Sequence, residues 1–318
     1  MNVRRWIVRR EPNWKRLDQL LQQAEKGGIK SLSSTEIRDL ASLYRAVSAD
    51  LARARTYEVG NLLIQDLQKL TSRGYNQIYQ GSQRQEWQQV KEFYLWGFPQ
   101  VVRESWSYIA IATGVFLLLA LIAWWYGWRD PVFVAVTVPD RIIDLVEEGE
   151  LWMGSIVGVE PLASSSITIN NLSVSFAAIA GGITAGIYTL FIMANNGLHI
   201  GAIATVVGKN NLAYPFWAFV FPHGSLELPA IFLAGGAGLL IGQAIVFPGK
   251  YKRIDALKLN GIKAAQLLLG IIPLLVVAGI IEGFVSPSPL VPNSLKYLIG
   301  TGLFSLLIWY CSSKKKTH

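Results

Sequence analysis

Apolar and polar positions follow two different rhythms along this chain. Across residues 1–104 charged and glutamine residues recur every few positions, and apolar residues return at helical spacing. From Ser105 onward long stretches carry no charge. The change predicts two domains, a basic helical one over 1–104 and a membrane one over 105–318.

In the first domain, apolar positions three and four apart predict amphipathic helices. Trp14, Leu17, Leu20, Leu21 and Ala24 share one face of a helix opening at Pro12 or Asn13, and Gly27 and Gly28 end it. Ser33 and Glu36 have capping-box spacing ahead of Ile37, Leu40, Tyr44, Val47 and Leu51. Two more amphipathic stretches lie around 62–70 and 87–94. A small helical bundle with solvated arginine and glutamine faces accounts for this pattern. A platform for a partner or for anionic lipid would use Arg38, Arg45, Arg53 and Arg55.

In the second domain the apolar runs are long enough to cross a bilayer, which takes about 20 residues. Six spans are predicted, at 107–125, 174–194, 198–221, 228–247, 264–285 and 295–311. Trp124, Trp125 and Trp128 form an interfacial belt at the end of the first. The third is interrupted by Gly208, Lys209, Asn210 and Asn211. Backbone freed there must be buried in protein or wetted, as in some transporters, although no matching break stands elsewhere in the chain. The fold class is therefore all-α, a polytopic bundle of about six transmembrane helices with an N-terminal soluble helical domain.

Charge sets the expected orientation. Lys250, Lys252, Arg253, Lys258 and Lys263 oppose only Asp255 between the fourth and fifth spans, and Lys314, Lys315 and Lys316 end the chain. The loop after the first span carries Asp140, Asp144, Glu147, Glu148, Glu150 and Glu160 against Arg129 and Arg141. The positive-inside rule then puts both termini and the Lys250 loop in the cytoplasm of a multi-pass cell-membrane protein. The acidic loop holds an amphipathic stretch over 139–152, whose Ile142, Ile143, Val146 and Leu151 could lie on the bilayer.

Composition agrees, with 52% hydrophobic and only 16% charged residues, where soluble domains run near a quarter charged. The net charge of +8 gathers at the termini and one loop, which suits a membrane surface and not nucleic acid. Arg4, Arg5, Arg9 and Arg10 resemble the start of a signal peptide, but Glu11, Lys15, Arg16 and Asp18 stand where its apolar core would be. Cys311 is the only cysteine, so no internal disulfide forms.

Two sets of residues go beyond membrane insertion. Ala230, Ala234, Gly238 and Gly242 recur every four positions, as do Ala178, Gly182 and Gly186. Small residues let helices approach closely in lipid, so both stripes predict helix contacts, within the chain or in a homo-oligomer. His223 and Glu227 share a helix face, and Glu282 should lie at similar depth near the outer leaflet. Ionisable groups there need partners, a wet cavity, a proton or a metal. The chain has three histidines and no HExxH, which argues against a zinc hydrolase.

The run Phe221-Pro222-His223-Gly224-Ser225-Leu226-Glu227-Leu228-Pro229-Ala230, with Gly235-Gly236-Ala237-Gly238-Leu239 after it, is similar to the signature of the stage II sporulation protein M family. Ala278-Gly279-Ile280-Ile281-Glu282-Gly283-Phe284 resembles its second block, and Asn195-Asn196 also fits. The resemblance covers most of 107–316 and implies an integral membrane protein without catalytic residues or cofactors. The family's namesake anchors a peptidoglycan hydrolase and a partner amidase. The resemblance thus implies a non-enzymatic scaffold that recruits other membrane or cell-envelope proteins. A permease-like subunit using the broken third span and an intramembrane enzyme at His223, Glu227 and Glu282 are the alternatives.

Overall fold

The structure, a computed structural model, describes residues 3–314, apart from the side chains of 30, 80–86, 154 and 155. Lys315, Lys316 and His318 lie outside the described residues. Those described form helices and connecting turns, with no strand among them. The chain forms two compact units, Met1–Glu92 and Phe93–His318.

The first unit contains α1 (Val3–Gly27), α2 (Ser34–Thr56), α3 (Asn61–Tyr75) and α4 (Gly81–Glu92). Leu17, Leu20, Leu21, Val47 and Leu67 interdigitate in its core. Helix α1 starts well before Pro12 and runs through it, which corrects the expected start. An interior proline costs about 3 kcal/mol. Burying an indole removes about 150–250 Å² from water, roughly 4–6 kcal/mol, and therefore wins. Trp6 is buried with its ring edge-on to Trp14, the centroids 5.6 Å apart. The predicted capping box opens α2, with Glu36 N donating to Ser33 Oγ at 3.3 Å and Ser33 N to Glu36 Oε2 at 2.9 Å. Charged contacts tie the helices together. Arg10 Nε donates to both oxygens of the buried Asp50 at 2.8 and 2.9 Å, and Trp14 Nε1 donates to Oδ2 at 2.9 Å. Arg73 on α3 pairs with Asp18 and Glu25 on α1.

The second unit opens with a π-helical turn, Phe93–Gly97, followed by α5 (Phe98–Glu104). The contact boundary thus falls before the change in composition at Ser105. Phe98 sits in the membrane unit's core with Leu267 and Ile271, and Glu104 pairs with Lys263 at 2.9 Å. Arg103 donates to the carbonyls of Cys311 and Ser313.

Among the described residues, six helical segments are long and apolar enough to cross a membrane. They are α6 (Trp106–Arg129), α9 (Glu160–Ala180) with its 3₁₀ extension to Thr184, α10 (Ile187–Lys209), α11 (Ala213–Val246), α12 (Arg253–Phe284) and α13 (Asn293–Ser312). Between α6 and α9 lie α7 (Pro131–Thr137) and α8 (Asp140–Glu147). Helix α11 is central and packs on α6, α9, α10, α12 and α13. Within its apolar window 61% of positions are buried, against 17% in α13, so α13 is peripheral.

The number of spans agrees with the sequence, but two boundaries do not. The segment expected at 174–194 divides between α9 and α10. Ala185 (φ 59°) and Gly186 (φ 84°) turn the chain there in left-handed conformations. The start was missed because residues 164–175 are rich in serine, threonine and asparagine. Several of these bond within the helix, as Thr168 does to Ser164 O at 2.8 Å and Ser173 to Ile169 O at 2.7 Å, which lets polar residues ride in a span. The expected broken span at 198–221 is the end of α10, a turn, and the start of α11. Asn211 (φ 58°) lies in that turn, and Lys209 Nζ donates to Gly127 O at 2.8 Å. The break is an inter-helix turn, so it gives no cue to a transport path.

The amphipathic stretch at 139–152 is also corrected. Helix α8 is shorter, and its Val146 is fully buried with Val134, Val138 and Met153 against Val206, Val207 and Phe216. Ile142, Ile143 and Leu151 pack on the same cluster. This apolar face covers protein and not bilayer, a choice that periodicity alone cannot make.

Candidate functional site

The helices of the membrane unit close on one another where side chains vanish. A methyl group placed on Gly238 would meet Ala178 O at 2.2 Å, and one on Gly182 would meet Gly238 O at 2.3 Å. One on Gly242 would lie 2.7 Å from Gly186 N. The two predicted small-residue stripes therefore face each other across one seam. Ala230, Ala234, Gly238 and Gly242 all lie buried on α11. The other stripe is not one helix face. Ala178 lies in the last turn of α9, Gly182 is in the 3₁₀ turn, and Gly186 caps α10. Thr189 Oγ1 donates to Ala178 O at 2.7 Å and closes the seam.

Along α11 from that seam, His223 and Glu227 stand one turn apart, as their spacing requires. Helix α12 brings Glu282 beside them near its end. The ligand-type atoms of the three residues lie within 4.8 Å of one another. His223 is 5% exposed, and its Nδ1 is 3.0 Å from Ser286 Oγ. Its Nε2 is 3.8 Å from Glu282 Oε1, too long for a hydrogen bond. Phe219 lies edge-on to the imidazole, and its carbonyl also bonds the ring. Asn171 on α9 hydrogen-bonds the Glu227 carboxyl group. The second oxygen of Glu282 is buried without a partner. Lys296 on α13, itself buried, donates to Ser286 O at 2.6 Å.

Four membrane helices and the residues after α12 thus converge on one polar group. The sequence supplied His223, Glu227 and Glu282 and missed Asn171, Ser286 and Lys296. Ser286 follows Glu282 at a spacing of four, which was a usable signal. Lys296 is a lone cation in the first turn of an apolar span. Asn171 was hidden in the polar run left outside the predicted spans. Asn195 and Asn196 do not show a bond to this group. Asn195 is exposed, and Asn196 Nδ2 donates to Ile192 O of its own helix at 2.8 Å.

Two carboxyl groups and an imidazole in a span are costly unless a counter-charge or protons neutralise them. The cluster can hold a proton among three acceptors or offer one nitrogen and two oxygens to a cation.

Comparison with known proteins places these residues in a family. A family model described as stage II sporulation protein M matches residues 112–287, and a domain of unknown function matches residues 4–80. The chain is similar to Uncharacterized protein MJ0793 of Methanocaldococcus jannaschii, 32% identical over 124 residues, 38% of this chain and 70% of that one. It is also similar to Uncharacterized protein MJ0706 of the same organism, 30% identical over 108 residues, 32% of this chain and 47% of that one. The chain spans about half the length of this second relative. No solved structure matches it. The first match covers more than half of the chain and includes His223, Glu227, Glu282 and the glycine seam. This multi-pass membrane protein belongs to the stage II sporulation protein M family.

Proposed function

We propose that the protein is a non-enzymatic membrane scaffold, a subunit that holds envelope partners at the bilayer. The observation that carries this reading is the build of its first unit. That unit closes its own core and turns Arg38, Arg45, Arg53 and Arg55 outward along α2. It also matches a domain family of its own, as a separable module would. Surface arginines offer fork-shaped donors to carboxylates, so an acidic partner surface fits them. The family's namesake anchors a peptidoglycan hydrolase and an amidase, which supports partners engaged in remodelling the cell wall. Both termini are cytoplasmic in this reading, because lysines crowd the turn between α11 and α12 while acids crowd α8 and its flanks.

Two measurements test it. Gentle detergent extraction from native membranes should recover envelope proteins with the parent chain. The triple variant Arg38→Glu, Arg45→Glu and Arg53→Glu should lose them while its abundance holds. Retention of the same partners by the variant would overturn the docking role of α2. Reporter tags after Lys252 and at His318 should be cytoplasmic, and tags near Glu148 and Ser288 exterior. A cytoplasmic tag near Glu148 would overturn the orientation.

A further inference from the structure

Every group around Glu282 except Glu282 itself is provided for. Asn171 serves Glu227, Ser286 serves His223 Nδ1, and Lys296 holds Ser286 in place through its carbonyl. One oxygen of Glu282 is buried with no hydrogen-bond partner, and the other is 3.8 Å from His223 Nε2. An unpaired buried acceptor costs about 1–3 kcal/mol, and a charged one more. Lys296 supplies one positive charge at the edge of a group containing two carboxylates. A second cation would offset the other.

We propose that His223, Glu227 and Glu282 bind a divalent transition-metal ion of the Zn²⁺ class, which bridges α11 and α12. The imidazole is already oriented as a ligand. A metal-bound histidine uses one ring nitrogen and bonds an outer group through the other, which is the part Ser286 plays at Nδ1. Nε2 then lies 3.8 Å from Glu282 Oε1, and one ligand atom from each of the three residues lies within 4.8 Å of the others. Ligand bonds of about 2.0–2.2 Å set neighbouring ligand atoms about 3–3.5 Å apart. The 3.8 Å gap between Nε2 and Oε1 closes to that distance by small side-chain rotations. One imidazole with two carboxylates suits Zn²⁺, Mn²⁺ or Fe²⁺ better than Ca²⁺, which takes oxygen ligands alone. Water completes the coordination. The ion would pin α11 to α12 at the opposite end from Asn260, whose Nδ2 donates to Leu240 O and Gln243 Oε1 at 2.8 Å, a role beyond the scaffold reading and independent of it.

The test uses the full chain, purified in mild detergent and stripped with a chelator. Titration with Co²⁺ should give one ion per chain with ligand-field absorption, and Zn²⁺ should displace it. Metal should also raise the melting temperature. Glu282→Gln keeps the shape of the side chain and should abolish saturable binding and the melting shift together. His223→Ala should do the same. Ser286→Ala should weaken binding about 10–100-fold, as loss of an outer-shell partner does. Failure of the parent chain to bind Co²⁺ or Zn²⁺ stoichiometrically would overturn the proposal. So would unchanged binding in Glu282→Gln. Should His223→Ala not fold, Glu282→Gln and Glu227→Gln decide the outcome.

Discussion

The two units of this protein are held together in different ways. In the first, large side chains fill the space between helices, with Leu17, Leu20 and Leu21 of α1 meeting Val47 and Leu67. In the second, helices also approach backbone to backbone, as where Gly182 and Gly238 meet. The solvents explain the difference. Water drives leucines together because burying apolar area is favourable by about 25 cal/mol per Å². Lipid gives no such drive, because tails are as apolar as leucine, so helices gain from close approach and from hydrogen bonds. Polar side chains do not divide in this way. Ion pairs occur in both units, Arg10 with Asp50 and Glu104 with Lys263. Hydroxyls bond their own helices in both, as Thr71 and Thr168 do.

The largest expected effect is at the backbone seam. Gly238→Leu should prevent assembly of the folded bundle, because even a Cβ there would sit 2.2 Å from Ala178 O and 2.5 Å from Thr189 Oγ1. Leu239→Val on a neighbouring face should be mild. Size-exclusion profiles of fluorescently tagged chains measure both, and equal profiles would show that the seam tolerates bulk.

A smaller loss is expected in the first unit from Leu17→Ala, about 2–5 kcal/mol for a cavity in a fully buried core. Asp50→Ala should cost up to about 3 kcal/mol, since it strands Arg10 and Trp14 Nε1. The cost stays below that of a fully buried pair because the Arg10 side chain remains 22% exposed. Protease sensitivity of the first unit in the full chain reads both losses. The sharper form of the comparison is that neither variant should perturb the membrane unit's assembly.

The smallest effect is electrostatic. The hydrogen bond from Arg73 holds the Glu25 carboxyl below its ordinary value of 4.5. A depressed folded pKa contributes stability above the unfolded value, and that stability is lost as pH falls through the folded pKa. The first unit should therefore loosen below about pH 4.5. Both side chains are more than a third exposed, at 35% and 38%, so the contribution is under about 1 kcal/mol and weakens in salt. Arg73→Gln should remove it, lowering stability at pH 7 by under about 1 kcal/mol and leaving the acid side nearly unchanged. An acid response as steep as the parent's would locate the pH sensitivity elsewhere.

By itself the sequence determined what depends on neighbours along the chain. The helix faces of the first unit, the capping box at Ser33, six spans and the shared face of His223 and Glu227 all follow from spacing and local bonding. Tertiary structure decided the rest. Hydropathy averages over a window, so it passed over the left-handed turn at Ala185 and Gly186 and split one span wrongly. It also counted the serines and threonines of α9 as polar, although their own helix satisfies several of them, Ser165, Thr168 and Ser173 among them. Amphipathic spacing marked the apolar face of α8, but only packing showed that protein and not lipid covers it. The polar cluster shows the limit most clearly. His223 meets Ser286 across 63 residues of chain, and Lys296 and Asn171 arrive on two further helices. No term local to the sequence contains those meetings, because they arise only when the helices close on glycines that leave room for one another.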